Sequence, residues 1–144
     1  MTAATEGRLP FRCVLEVRFG DADALGHVNN VIYYRYLEQA RVRFMQTIWG
    51  GLTGNAMADF PYVVAHSELD FLAPLHYDDH CLVTMGISRL GHTSFTFCYE
   101  LFSVGTQTMV ARGTVVMVVV DHQIGRPQPI PDELRQAYQP YLTN

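Results

Sequence analysis

Arg18-Phe19-Gly20-Asp21-Ala22-Asp23-Ala24-Leu25-Gly26-His27-Val28-Asn29-Asn30, followed directly by Val31 to Ile48, is the stretch that decides the fold. It closes an alternating strand, crosses a polar loop with Gly20 and Gly26 for tight backbone paths, and stops at an amide-rich helix start. Asn29 or Asn30 supplies the N-cap, because a short amide side chain accepts from an orphan backbone donor in the first turn. Gly50-Gly51 supplies the stop. Between them Tyr33, Leu37, Ala40, Phe44 and Ile48 form one apolar stripe, with Arg35, Gln39 and Arg43 on a polar edge. Tyr34, Tyr36, Val42, Met45 and Trp49 widen the apolar part, so the helix calls for a wrapping and not merely a surface to lie on.

Upstream, Cys13, Leu15, Val17 and Phe19 alternate with Arg12, Val14, Glu16 and Arg18, a half-buried strand. Residues 1–10 have no period and read as a frayed start. Downstream, Gly50 to Phe60 reads as a mobile connection that borders a pocket. Strands follow at about 62–72, 80–90, 93–103 and 108–120, separated by Pro, Asp or Gly. Leu90-Gly91-His92 and Val104-Gly105-Thr106-Gln107 are short enough for hairpins, which makes the sheet mainly antiparallel. Val115 to Val120 is apolar on both faces, as in a central strand covered on both sides. One helix covers one side only, so the remaining apolar faces and edges imply a partner subunit. Gly125 to Pro131 is a linker, and Asp132 caps a last helix, Glu133 to Tyr138. With no repeat and no second unit, residues 1–144 read as one α+β domain.

Ten Lys and Arg against fourteen Asp and Glu give a net charge of −4, which argues against nucleic acid and against an acidic membrane surface. The odd number of cysteines, Cys13, Cys81 and Cys98, with no Cys-x-x-Cys pair, reads as reduced core thiols of a cytoplasmic protein. No leader and no bilayer-length apolar run is seen.

Asp23 stands seven residues before the helix start, where it could attack a carbonyl or activate water while free N–H groups near Asn30 and Val31 hold an oxygen that turns negative. The plainer alternative is that Asp23 and the asparagines are loop and cap residues. His27 could orient a substrate or cap the loop. Glu38 is the second-choice carboxylate, its plain reading being an ion pair with Arg41 one turn on. His76-Tyr77-Asp78-Asp79-His80 invites a metal, but the spacing ligates only on a helix and a third ligand is missing, so none is expected. His66, Glu68 and Asp70 share one strand face, either an acid/base cluster or a solvated or subunit-facing surface. No Gly-x-Ser-x-Gly elbow, activated cysteine or phosphate loop is present, so neither a serine or cysteine nucleophile nor a nucleotide cofactor is supported.

Asp21 to Asn30, then Tyr34 and Leu37-Glu38-Gln39-Ala40-Arg41, resembles the signature of hotdog-fold acyl-CoA thioesterases of the 4-hydroxybenzoyl-CoA thioesterase type. His66 to Pro74, Tyr77-Asp78-Asp79, Gly91 to Phe95 and Val118 to Asp121 continue the likeness, which covers about residues 12 to 135. The resemblance implies a sheet curled around one helix and hydrolysis of an acyl-CoA, or of an acyl-carrier-protein thioester, without cofactor. It assigns the chemistry to Asp23 and the oxyanion contact to the Asn30 backbone N–H, with His27 and Tyr34 near the substrate. It also implies a homodimer at least, and a tetramer of two dimers. Where the 4-hydroxybenzoyl-CoA type has arginines for the CoA phosphates, this chain has Gly91 and His92, leaving Arg89 and Arg112 as substitutes. A fatty or an aryl acyl group is equally compatible. Two rivals remain: a hotdog hydratase, whose motif pairs an Asp with a His about five residues on, and a non-catalytic acyl-binding protein.

Overall fold

β-Branched and aromatic residues alternating with polar ones drive the chain from Tyr62 onward into sheet. The computed structural model describes residues 9–48 and 62–143. Its strands are β1 (Phe11–Glu16), β2 (Tyr62–Phe71), β3 (His80–Leu90), β4 (Ser94–Ser103), β5 (Met109–Asp121) and the short β6 (Arg126–Pro127); its helices are α1 (Asn30–Ile48) and α2 (Asp132–Tyr138). The sheet order is β1-β3-β4-β5-β2 with β6 against β5, and every strand pairing is antiparallel. β3–β4 and β4–β5 are hairpins, closed by Gly91 N–H on Ser94 O at 2.8 Å and Ser103 N–H on Thr108 O at 2.9 Å.

The inner face of the sheet carries Cys81, Val83, Met85 and Ile87 of β3, Phe95, Phe97, Tyr99 and Leu101 of β4, and Val115, Met117 and Val119 of β5, all buried. Against it α1 buries Tyr33, Tyr36, Leu37, Ala40, Phe44 and Met45, the expected stripe except for Ile48, which is half-buried, with two of its expected wideners. Phe44 is the hub. Its ring lies 5.3 Å from Phe11, 5.5 Å from Phe97, 5.8 Å from Tyr138 and 4.8 Å from Tyr141. Each edge-on pair adds about 0.5–1.5 kcal/mol to plain burial. α2 brings Tyr138 and Leu134 into this cluster and is tied to the β3–β4 hairpin by Arg135 Nη2 donating to Gly91 O at 2.7 Å.

Several expectations are corrected. β1 ends at Glu16, and a 3-10 turn at Phe19–Asp21 carries Phe19 out to 81 % exposure, so it does not continue the inner face. Asp132 is the first residue of α2, with Pro131 at the cap position and no side-chain cap bond. The linker after Gly125 contains β6, which pairs Val120 and Asp121 with Pro127 and Arg126. Glu38 makes no ion pair among the described residues; Arg41 turns inward, its Nη1 donating to Tyr99 Oη at 3.4 Å. All three cysteines are free, but only Cys81 is fully buried. The frayed start up to residue 8, Trp49, the stop at Gly50-Gly51 and the connection from Gly50 to Phe60 lie outside the described residues.

Candidate active site

The Asp21–Asn30 loop folds on its own hydrogen bonds. Asp23 N–H donates to His27 O at 2.8 Å and Gly26 N–H to Asp23 O at 3.0 Å, with Gly26 at φ 79°, a left-handed conformation that glycine adopts without penalty. Asp23 Oδ1 accepts from Leu25 N–H at 2.9 Å and His27 N–H at 3.2 Å. These two donors fix the carboxylate's orientation and leave Oδ2 without a donor among the described residues. Val28 N–H on Leu75 O at 2.7 Å and an isolated bridge between His27 and His76 pin the loop to the segment after β2. The imidazoles of His27 and His76 meet edge-on at 4.9 Å.

Asn29 is the N-cap of α1: its Oδ1 accepts from Val31 N–H at 3.1 Å, and its carbonyl accepts from Ile32 N–H at 2.9 Å. Asn30 is therefore the first helical residue, and a first-turn N–H has no acceptor within its own helix. Asp21 serves as a tie. Its Oδ2 accepts from Tyr36 Oη at 2.7 Å and from Arg18 N–H at 3.0 Å, and its carbonyl accepts from Asn29 N–H at 3.0 Å. Burial first, then this bond and the charge of Asp21, push the Tyr36 phenol well above its ordinary range.

A cleft of about 330 Å³ lies between this loop and the end of β2, lined by Asp23, His27, Val28, Asn30, Tyr33 and the run Phe71 to Pro74. It brings together three of the residues singled out in the sequence, Asp23, His27 and Asn30. Tyr34 points to the exposed side of α1 and does not line it. Arg112 does not line it either: it sits on the outer face of the sheet, with Nε 3.7 Å from Asp70 Oδ2, in a separate cavity with Glu68 and Glu100. Arg89 is in register with Thr96, away from the cleft. Of the acidic face of β2, Glu68 accepts from Thr114 Oγ1 at 3.3 Å and Asp70 faces Arg112, a solvated surface network. Asp79 of the His76–His80 run accepts from Ser103 Oγ, from Gly105 N–H at 2.8 Å and from His80 N–H at 2.7 Å, which makes it a hairpin anchor. Among the described residues no three His, Cys, Asp or Glu are grouped to hold a metal ion.

Asp23 of the loop and Asn30 at the helix start line one cleft beside the curled sheet, and a family model described as the thioesterase-like superfamily matches residues 17–138. The chain belongs to that superfamily. A thioesterase from Thermus thermophilus, crystallised with coenzyme A and Zn, is 32 % identical with a TM-score of 0.78, covering 91 % of this chain and 98 % of that one. A chloroplastic acyl-acyl carrier protein thioesterase of Arabidopsis thaliana is 29 % identical over 130 residues, 89 % of this chain and 67 % of that protein. A 1,4-dihydroxy-2-naphthoyl-CoA hydrolase of Nostoc punctiforme is 29 % identical over 128 residues, 83 % of this chain and 80 % of that protein. The chain is thus a thioester hydrolase with the hotdog fold.

In this thioesterase the cleft is also lined by residues that the sequence marks only as core or as landmarks. Tyr33 was assigned to the buried stripe, and its phenol, pushed up to about 12 chiefly by burial, stays neutral at the cleft floor. Phe71 to Pro74 carried resemblance but no role. Their signal is topological: they close the edge strand β2 where it passes the loop, which periodicity does not report.

Proposed function

We propose that the chain hydrolyses acyl thioesters of coenzyme A, or of acyl carrier protein, with Asp23 as nucleophile or base and the Asn30 backbone N–H as donor to the thioester oxygen. The observation that supports this reading is the pairing of Asp23 and Asn30 in one cleft, with Asp23 held by two N–H groups of its own loop. Two routes share the arrangement. Asp23 either takes a proton from water, so that hydroxide adds to the carbonyl carbon, or adds to it directly. In both, the carbonyl oxygen becomes negative at the Asn30 N–H, the C–S bond breaks, and the thiolate leaves and is protonated. The direct route forms an anhydride that water then splits into acid and Asp23 carboxylate. Thiolate is a good leaving group and needs no metal.

His27 contributes to substrate orientation. Tyr34, Arg89 and Arg112 are assigned to the carrier outside the acyl cleft. The unit is a dimer at least, in which a second copy covers the exposed edge of β2 beside the cleft, and two such dimers form a tetramer. The free cysteines suit a reducing compartment, which favours the cytoplasm.

Thiol release from acyl-CoAs tests the reading. Asp23→Asn is expected to lower kcat about a hundredfold or more with the fold intact, and Asp21→Asn to act mainly on stability. An Asp23→Asn enzyme with wild-type kcat would remove Asp23 from the mechanism.

A further inference from the structure

In the reaction proposed above, Asp23 and the Asn30 N–H must meet one carbonyl group, yet Asp23 rides on the loop and Asn30 on the first turn of α1. Asp21 joins the two elements. Its carbonyl accepts at 3.0 Å from the N–H of Asn29, the residue before Asn30, and its Oδ2 accepts from Tyr36 Oη at 2.7 Å and from Arg18 N–H at 3.0 Å. Tyr36 stands six residues past Asn30, about 9 Å along the helix axis at ~1.5 Å per residue. One residue thus fastens the loop to α1 at two separated points, and Asp23 is the second residue after it. A single fastening at the helix start would let the loop pivot about it, and the second removes that freedom. Val28 N–H on Leu75 O at 2.7 Å and the His27–His76 bridge hold the loop to the segment after β2, not to the helix. Tyr36 is 4 % exposed, which shields its bond to Asp21 from water. A phenyl ring would fill the same space, so what the hydroxyl adds is direction rather than packing.

Resting on the mechanism proposed above, we infer that Asp21 and Tyr36 are positioning residues for the hydrolysis: their bond sets where the Asp23 carboxylate stands relative to the Asn30 N–H. Without it the loop shifts against α1, and Asp23 leaves its line to the carbonyl carbon while the Asn30 donor stays with the helix. A displacement of about 1 Å between reacting groups can cost roughly a hundredfold in rate. The bonds to Leu75 and His76 still hold the loop in part, so the expected loss is about tenfold. It falls on kcat, because neither Asp21 nor Tyr36 lines the cleft.

Thiol release from acetyl-, hexanoyl-, benzoyl- and palmitoyl-CoA tests this, each variant being read well below its melting temperature on the substrate that the wild-type chain turns over fastest. Tyr36→Phe is expected to lower kcat about tenfold per folded chain and to leave KM within about twofold, since a contact that acts only on the reacting geometry lowers kcat and kcat/KM together. Asp21→Ala is expected to lose at least as much. Asp21→Asn keeps an oxygen that accepts the Tyr36 hydroxyl, and is expected to hold kcat within about threefold of wild type. A folded Tyr36→Phe with wild-type kcat overturns the inference. So does an Asp21→Asn that loses as much kcat as Asp21→Ala, the comparison that decides if Tyr36→Phe does not fold. Wild-type kcat in Asp23→Asn, or thiol release from none of the four substrates by the wild-type chain, would instead remove the mechanism on which this inference rests.

Discussion

Asp21 and Asp23 look interchangeable in a string of letters, and their partners separate them. Asp21 receives the Tyr36 hydroxyl at 2.7 Å from fifteen residues along the chain, whereas Asp23 Oδ1 binds only N–H groups of its own loop and faces the cleft. The sequence could place a carboxylate before a helix start, but a hydrogen bond from the side of that helix leaves no local mark. The asparagines show the same limit. Either fits a cap by type, and only the observed Asn29 Oδ1 bond to Val31 N–H assigns it. That assignment sharpens a prediction at Asn30, the first helical residue. Asn30→Ala keeps the N–H and loses no cap bond, so kcat and stability should both stay close to wild type. Asn30→Pro deletes the donor at the position where proline fits a helix best. It should lose roughly a hundredfold in kcat, the usual scale for one oxyanion donor. Steady-state rates alongside thermal melts decide it, and an equal loss from both folded variants would make the side chain the active group.

At the scale of elements, the strands and α1 were legible nearly to the residue because hydrophobic periodicity and turn residues agree there. The misses have a common cause. Phe19 continues the alternation of β1, yet the chain turns at Phe19–Asp21 and the ring packs outside on Tyr77 at 5.5 Å. Short β6 has too few residues to carry a period. Periodicity also reports which side of α1 is buried without reporting that Tyr36 uses its hydroxyl. That bond fastens the loop to the helix. Tyr36→Phe should cost about 1.5–3 kcal/mol at pH 7, since a hydrogen bond to a charged acceptor is worth roughly that net. The loss should depend on pH. The folded state raises the phenol above its ordinary 10.0, so its contribution is complete below pH 10 and is lost as pH rises beyond it, because the unfolded chain ionises first. Urea unfolding of both proteins from pH 7 to 11 should therefore show the gap shrinking above pH 10. A gap absent at pH 7, or constant to pH 11, would contradict the assigned bond.

For the whole molecule, composition and strand count announced one α+β unit, and one long helix against a large sheet implied a partner for the remaining apolar faces. Among the described residues β2 pairs on one side only, with β5, and leaves Val63 and Val64 46 % and 50 % exposed. An exposed apolar strand edge of this length is a template for another chain, and Phe71 at its end lines the cleft. A second copy seated along β2 would bury that edge and bring its own residues to the open side of the cleft, linking assembly to rate. The prediction is a sedimentation mass of at least two chains at micromolar concentration. Val63→Lys with Val64→Lys places two charges on the edge, where each side chain is already half in water and the single chain loses little. The pair should shift the mass toward the 16.3 kDa of one chain and lower kcat/KM at least tenfold, with the melt of the dissociated chain still cooperative. A wild-type protein that sediments as one chain with full activity would sink the proposed assembly. A dissociated variant that kept full activity would instead show that the cleft is complete within one subunit.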